Sequence, residues 1–291
     1  MNYTRGAKRT AAAASLSWPE KLRLLFTGVG MPRPENERTP ADVGLAYSRV
    51  RLAGHGGAWL DAWLVLHEAP RGTVLLFHGY ADAKDSLLTA AREFHDLGYS
   101  VLLVDFYGSG DSTASSTSIG YYEADDVAAA FAATRQLPLL RPIVLHGVSM
   151  GAAAVLRATD VHRLSPDALI LEAPFDRLLT TVEHRFDELR APAFPAARLL
   201  LFWGGVQQGF DALAFAPAEN ARGVTAPALV WVGDRDPYVS VHEAQNVVAN
   251  LAGPKRLEIV PGLRHDSCLN ARPGRWRRVV AEFLSAVPRP E

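Results

Sequence analysis

Cysteine is almost absent from this sequence of 291 residues. The single Cys268 excludes an intramolecular disulfide and any metal site built from several cysteines. Lysine is also scarce, and the arginines that supply most of the positive charge are scattered rather than clustered. With a net charge of −1, the chain has no basic tract of the kind that contacts nucleic acid. The sequence therefore predicts no nucleic-acid partner.

Long apolar runs are missing as well. The run 199–203 ends at Gly204, far short of the roughly 18 to 20 residues that span a bilayer, so a transmembrane helix is excluded. Residues 20–29 carry apolar side chains near helical spacing. This pattern predicts a short helix that docks on the protein body, with docking on a membrane surface as the alternative.

The N-terminus has some features of a signal peptide. Arg5, Lys8 and Arg9 precede the apolar residues 11–16, but residues 18–21 stop that stretch before it reaches about 7 to 15 apolar residues. We therefore predict a cytoplasmic protein.

The rest of the composition is that of a globular protein with a sizeable core, since 48% of the residues are hydrophobic and 21% are charged. Residues 31–41 combine three prolines with charged residues, which is typical of a linker. We predict an N-terminal extension and linker over 1–41 and a folded domain over 42–291.

Short apolar strands alternate with helical segments through most of this domain. Segments 45–52 and 59–66 flank a glycine-rich turn at 54–57, which predicts an antiparallel hairpin. Further strands are predicted at 73–77, 100–104, 142–145, 168–171, 228–232 and 257–260. Helices are predicted near 86–97, 121–136, 150–158, 241–251 and 275–286. This alternation indicates a mostly parallel sheet of about eight strands with helices on both faces.

One interval, 173–226, lacks a strand pattern. We predict an insertion over about 177–220 that forms a small cap over the active site. An ordinary layer helix with irregular loops is an equally weighted interpretation.

A G-x-S-x-G motif places Ser149 between the strand 142–145 and an alanine-rich helix. In this setting the flanking Gly147 and Gly151 let backbone segments approach closely while the serine stays exposed at the sheet edge. The helix N-terminus favours negative charge that develops beside the serine. We predict Ser149 as a catalytic nucleophile.

A serine nucleophile needs a base and a group that orients the base, and in this setting the order along the chain is Ser, acid, His. Two loops that follow predicted strands supply candidates. We choose Asp236 over Asp234, which we interpret as a turn former beside a glycine. We choose His265 over His242, which falls in a predicted helix, and interpret His146 as a packed, hydrogen-bonded strand residue.

An oxyanion hole needs two N–H donors near the serine. The strand 73–77 ends at His78-Gly79-Tyr80, the position from which such a fold supplies its second donor. We predict the backbone N–H groups of Tyr80 and Met150, although His-Gly alone would suit a plain turn.

These motifs together resemble serine-nucleophile α/β-hydrolases over residues 44–286. The segments that carry the resemblance are His78-Gly79, 105–112, 147–151, 233–236 and His265. The resemblance is nearest to esterases, lipases and serine-aminopeptidase-like members, and it implies the α/β-hydrolase fold. It also implies that 105–112, similar to the family's D-x-x-G-x-G-x-S turn, is a structural loop near the site.

We therefore predict a serine hydrolase that cleaves a small-molecule carboxylic ester through an acyl-enzyme, without a metal or cofactor. A peptidase, amidase or thioesterase with the same residues is the alternative enzyme. A non-catalytic binding protein with this fold is the alternative of another class. The sequence does not determine the oligomeric state. Aromatic side chains predicted to line the substrate pocket, with core packing as the alternative for each, are Tyr107, Phe202, Trp203, Phe210 and Tyr238.

Overall fold

The computed structural model describes residues 2–4 and 30–288. The predicted signal-like stretch and the predicted helix at 20–29 lie outside the described residues. Short strands β1 (Asn2–Thr4) and β2 (Gly30–Pro32) form a small parallel sheet. The main sheet consists of β3 (Ser48–Ala53), β4 (Trp59–Val65), β5 (Thr73–Phe77), β6 (Ser100–Val104), β7 (Ile143–Val148), β8 (Ala168–Glu172), β9 (Ala228–Gly233) and β10 (Lys255–Val260).

The main sheet has the spatial order β10-β9-β8-β7-β5-β6-β4-β3. All neighbours from β10 to β6 are parallel, and β4 is antiparallel to both β6 and β3. The prediction of about eight mostly parallel strands with a hairpin at one edge is confirmed.

Helices cover both faces of the sheet. Among the described residues they are α1 (Leu88–Asp96), α2 (Glu123–Ala133), α3 (Met150–Val161), α4 (Leu178–Glu188), α5 (Ala196–Gln208), α6 (Pro217–Asn220), α7 (Val241–Asn250), α8 (Cys268–Ala271) and α9 (Pro273–Ser285). Short 3₁₀ helices lie at 40–43, 55–57, 84–87 and 221–223.

The two faces have separate cores because side chains of a strand alternate between them. In β5, Leu75 and Phe77 join a cluster with α2 and α3, whereas Val74 and Leu76 join a cluster with α1 and α9. Since both faces are buried, the strand is apolar at nearly every position rather than at every second one. This explains why the continuous apolar run 73–77 predicts its bounds correctly.

The segment predicted as a linker is bound to the folded body. The buried Arg33 donates hydrogen bonds to several backbone carbonyls of the loop 109–114. Asn36 Nδ2 donates to the Asp105 carboxylate at 2.8 Å, and the Glu37 N–H donates to Asp85 at 2.9 Å. A pattern of prolines and charges indicates an irregular chain, but it does not show whether polar groups pair with the body.

The segment 177–220, which we predict as an insertion, lies between β8 and β9 and contains α4, α5 and α6. Its buried face joins a third apolar cluster through Leu178, Val182 and Leu201, beside Val232 at the end of β9. Within the described residues, no helix combines the length and apolarity needed to cross a membrane.

Candidate active site

The strand order places a crevice at the middle of the sheet. From β5 the chain steps to β6 on one side, and from β7 it steps through β8 and β9 to β10 on the other. Adjacent strands whose connections leave in opposite directions define a switch point, where loops at the carboxyl ends diverge and leave room for a ligand. The loops after β5 and β7 carry Tyr80 and Ser149.

Ser149 lies in a sharp turn between β7 and α3. Its backbone has φ 51° and ψ −109°, a left-handed conformation that is costly for a residue with a side chain. A Cβ on Gly147 would lie 2.6 Å from the Gly151 backbone, and one on Gly151 would lie 2.3 Å from the Phe77 carbonyl oxygen. Both glycines are therefore required by close backbone contacts, and the turn holds the serine at the crevice.

The structure brings Ser149, His265 and Asp236 together. His265 Nε2 lies 3.2 Å from Ser149 Oγ, and His265 Nδ1 lies 2.6 Å from Asp236 Oδ2. The Asp236 side chain is 1% exposed and the His265 side chain is 23% exposed. The imidazole thus links a buried carboxylate to a serine hydroxyl and can still meet a ligand.

Hydrogen bonds fix both loops that carry these partners. Asp236 Oδ1 accepts from the N–H groups of Tyr238 and Val239 at 2.8 and 3.0 Å. Asp234 instead accepts from the Gly262 N–H at 2.6 Å, which ties the two loops together. His242 is exposed on α7.

The two predicted oxyanion donors lie near the serine. Met150 is the first residue of α3, where an N–H group has no acceptor within its own helix. Tyr80 follows β5 and lines the same cavity as Ser149. Ala81, the next residue, has φ 59°, which turns the chain away from the strand direction.

Ser149 opens into a cavity of about 460 Å³, a size typical of small-molecule sites. Of the five aromatic residues predicted to line a pocket, only Tyr238 lines this one. Tyr107 is buried in the core, Phe202 is 51% exposed with Trp203 packed edge-on against it, and Phe210 stacks on Tyr121. These four therefore lie outside the lining of this cavity, since aromatic content alone does not show which face of a segment meets the site.

Several lining residues have no signal in the sequence, among them Met31, Arg185 and Glu172. Glu172 accepts from the Trp276 indole N–H at 2.9 Å and from the Cys268 N–H at 3.2 Å. Burial raises the pKa of the Glu172 carboxyl. This carboxyl anchors the chain three residues after His265, a contact that only the tertiary fold creates.

His146 is packed, as predicted, in β7 beside Phe94, with the ring centroids 5.5 Å apart. Its Nδ1 has no hydrogen-bond partner within the described residues, whereas a hydrogen bond with the Ile170 backbone is among the contributions to the pKa of this histidine. Burial lowers the pKa of His146 to about 4. The imidazole is therefore neutral at pH 7.

We expect His146→Leu to flatten the pH dependence of stability in acid. The unfolded chain takes up a proton on His146 near pH 6.5, whereas the folded chain resists it down to about pH 4, so the parent loses stability as pH falls through this window. The loss attributable to His146 should reach about 3 kcal/mol. Urea unfolding at intervals from pH 8 to pH 4 measures it. Parallel curves for the parent and the variant below pH 6.5 would contradict this expectation.

One set of acidic side chains among the described residues lies close enough together to hold a metal ion: Asp61, Asp105 and Asp111. Lys84 Nζ lies 2.8 Å from Asp61 and 2.5 Å from Asp105. Arg49 lies 2.7 Å from Asp61 and 3.0 Å from Asp111. Each of the three carboxylates already pairs with at least one of these two cations, so the set fits an ion-pair cluster better than a metal site.

The sheet order and the serine turn between β7 and α3 define an α/β-hydrolase fold. A family model described as serine aminopeptidase, S33, matches residues 68–208, just under half of the chain. The esterase Pf2001 of Pyrococcus furiosus has a similar fold, with a TM-score of 0.73 and 21% identity over 89% of this chain and 97% of that one.

Two curated relatives are similar in sequence. The uncharacterized protein YqkD of Bacillus subtilis is 27% identical over 75% of this chain and 72% of its own length. The lysophosphatidylserine lipase ABHD12 of Mus musculus is 26% identical over 70% of this chain, which spans 50% of that protein. Together the comparisons support a hydrolase.

Proposed function

We propose that this chain is a serine hydrolase that cleaves carboxylic esters, with Ser149 as the nucleophile, His265 as the general base and Asp236 as its orienting partner. The observation that carries the proposal is the continuous hydrogen-bonded path from the Asp236 carboxylate through the imidazole to the serine hydroxyl, at 2.6 and 3.2 Å. An alcohol is a poor nucleophile at its usual pKa, and this path supplies the base that it needs.

The reaction proceeds in two halves. His265 Nε2 takes the proton of Ser149 as the oxygen attacks the carbonyl carbon, and the N–H groups of Tyr80 and Met150 stabilise the oxyanion. The imidazolium then protonates the leaving alcohol, and an acyl-enzyme remains. Water, activated by the same imidazole, releases the acid. Asp236 keeps the Nδ1 proton in place and stabilises the imidazolium throughout.

An ester is favoured over an amide as the substrate because the Pyrococcus protein is an esterase and ABHD12 is a lipase. The serine-aminopeptidase description of the matching family model keeps the amide as the alternative. We also propose that residues 177–220 form a cap, since Arg185 of α4 lines the cavity beside Ser149.

Reaction with a fluorophosphonate tests the nucleophile. We expect one covalent adduct by intact mass on the parent protein and none on Ser149→Ala, with folding of the variant checked by circular dichroism. A known serine hydrolase should be labelled in parallel. An unlabelled parent beside a labelled control would exclude the catalytic proposal and favour a binding protein.

A second measurement ranks the substrates. p-Nitrophenyl esters of short and long acyl chains are compared with aminoacyl anilides, with Ser149→Ala as the blank. We expect turnover of the esters. Faster turnover of the anilides would replace the esterase assignment with a peptidase or amidase.

A further inference from the structure

One arginine extends over the cavity from the insertion. The guanidinium of Arg185, on α4, lies 5.4 Å from the ring centroid of Tyr80 and 4.6 Å from that of Tyr238. Tyr80 follows β5 and Tyr238 follows β9, strands that lie on opposite sides of β7 in the sheet. Ser149 directly follows β7, and the two tyrosines hold this cation in the wall of the cavity that the serine also lines.

Among the described residues, the N–H groups of this guanidinium have no protein acceptor. Throughout residues 2–4 and 30–288, Arg185 donates no side-chain hydrogen bond to a protein acceptor and pairs with no carboxylate, and its only side-chain interactions are with the two rings. Arg264, the other arginine of the cavity, pairs with Glu188 at 3.3 Å. Partly buried guanidinium groups normally use their planar set of five donors. The donors of Arg185 are therefore available to a ligand.

Neighbouring residues of Arg185 on α4 hold the helix against the backbone of Tyr238. Thr181 Oγ1 donates to the Tyr238 carbonyl oxygen at 3.1 Å, and His184 Nδ1 lies 3.0 Å from the same oxygen. The Tyr238 ring in turn lies 5.3 Å from the His265 ring. A single aromatic ring thus separates the free cation from the proposed catalytic imidazole, and two tyrosines restrict its side chain before any ligand arrives.

Other charges also line the cavity. Asp82 and Asp266 are exposed at its edge, and neither lies within ion-pair distance of Arg185. They do not neutralise the guanidinium directly.

We infer that Arg185 binds an oxyanion group of the substrate, so that the preferred ester carries a carboxylate or a phosphate in addition to the scissile bond. This inference rests on the proposed function of Ser149. A guanidinium can bind two oxygens of such a group at once, and these charge-assisted hydrogen bonds are about twice as strong as neutral ones.

Two substrate pairs test this inference and show whether the group bound by Arg185 is a carboxylate or a phosphate. p-Nitrophenyl butyrate is compared with the p-nitrophenyl hemiester of glutaric acid, which places a carboxylate on the acyl side. A monoacylglycerol is compared with the acylglycerol phosphate of the same chain, which places a phosphate on the alcohol side. Each is measured with the parent, Arg185→Gln, Arg185→Lys and, as the matched control, Arg264→Gln.

We expect Arg185→Gln to lower kcat/KM for at least one anionic ester by about tenfold or more and to change its neutral counterpart by less than about threefold. Arg185→Lys should keep part of the preference, since it retains the charge but loses the bidentate geometry. Arg264→Gln should change the ratio of anionic to neutral turnover by less than about threefold, because its exposed side chain is already paired.

The outcomes distinguish a failure of the inference about Arg185 from a failure of the proposed function of Ser149. If neutral esters are hydrolysed and Ser149 is labelled, but Arg185→Gln leaves both anionic-to-neutral ratios unchanged, the inference is wrong and the proposed function stands. If the parent hydrolyses neutral esters but neither anionic ester, the inference is likewise wrong and the proposed function stands. If Ser149 is not labelled at all, the proposed function is wrong and this inference is wrong with it.

Discussion

Asp236→Asn is expected to lower kcat for ester hydrolysis about 10⁴-fold without unfolding the protein. The reason lies in the two oxygens of the carboxylate, which have different partners. Oδ1 accepts from the N–H groups of Tyr238 and Val239, whereas Oδ2 faces His265 Nδ1 at 2.6 Å. An asparagine that keeps its oxygen on the two backbone donors must present its NH₂ group to the imidazole.

That NH₂ group changes the tautomer of His265. Nδ1 must then accept a hydrogen bond, so the ring proton moves to Nε2, the nitrogen that lies 3.2 Å from Ser149 Oγ. A protonated Nε2 cannot take the serine proton, and the nucleophile loses its base. If the amide rotates instead, two partly buried N–H groups lose their acceptor, and the variant loses stability as well as activity.

Asp234→Asn is the matched control, two residues away in the same loop. Its Oδ1 accepts from the Gly262 N–H, and an asparagine oxygen can keep that bond. We expect its kcat to remain within about threefold of the parent, the small effect usual for a surface substitution. Steady-state kinetics on one ester, with thermal unfolding as the check on folding, distinguishes the two variants. A large loss in Asp234→Asn beside a small loss in Asp236→Asn would reverse the assignment of the acid.

The sequence predicts those features of the fold that depend on local pattern. The bounds of β5 are correct because a strand buried on both faces is a short apolar run between a glycine and the His78-Gly79 turn. β7 extends three residues beyond its predicted end, to Val148, because His146 and Gly147 interrupt the apolar run. Neither residue interrupts the pairing of β7 with β5 and β8. The imidazole is buried without charge, and a side chain in place of Gly147 would collide with the backbone at the start of α3.

The candidate site likewise contains residues that the sequence predicts and residues that it does not. Ser149, Asp236 and His265 follow strand ends, and strand ends are visible in the pattern, so the sheet topology brings together residues that the sequence already singles out. Arg185 and Phe202 both belong to the insertion, yet one lines the cavity and the other is exposed. The difference depends on how α4 and α5 pack, and helical spacing alone does not determine it.

A buried ion-pair cluster connects this site to the stability of the fold. Lys84 is fully buried, with its Nζ 2.8 Å from Asp61 and 2.5 Å from Asp105, and 4.2 Å from the centre of the Trp63 ring. Burial raises the pKa of the Asp105 carboxyl, but the charges of Lys84 and His78 and the hydrogen bonds from Lys84 together outweigh burial and hold that pKa below its usual value. The Lys84 N–H also donates to Asp105 at 2.8 Å, so the cluster fixes the end of the loop that begins at Tyr80.

Lys84→Met is therefore expected to lower the free energy of unfolding by about 3 to 5 kcal/mol, because it leaves a buried carboxylate without its cation. Arg49→Met, which removes the 56% exposed partner of Asp61, should cost less than about 1 kcal/mol. Adding Asp105→Asn to Lys84→Met should recover part of the loss, since the uncompensated charge is then absent.

The pH dependence of this loss has a definite sign. Without Lys84, burial should raise the pKa of Asp105 above that of the unfolded chain, so the variant should regain stability as pH falls and the carboxyl takes up a proton. Urea unfolding at pH 8 and pH 5 should therefore show a larger deficit at pH 8. A deficit below about 1 kcal/mol at both pH values would mean that the cluster contributes no more than an exposed ion pair.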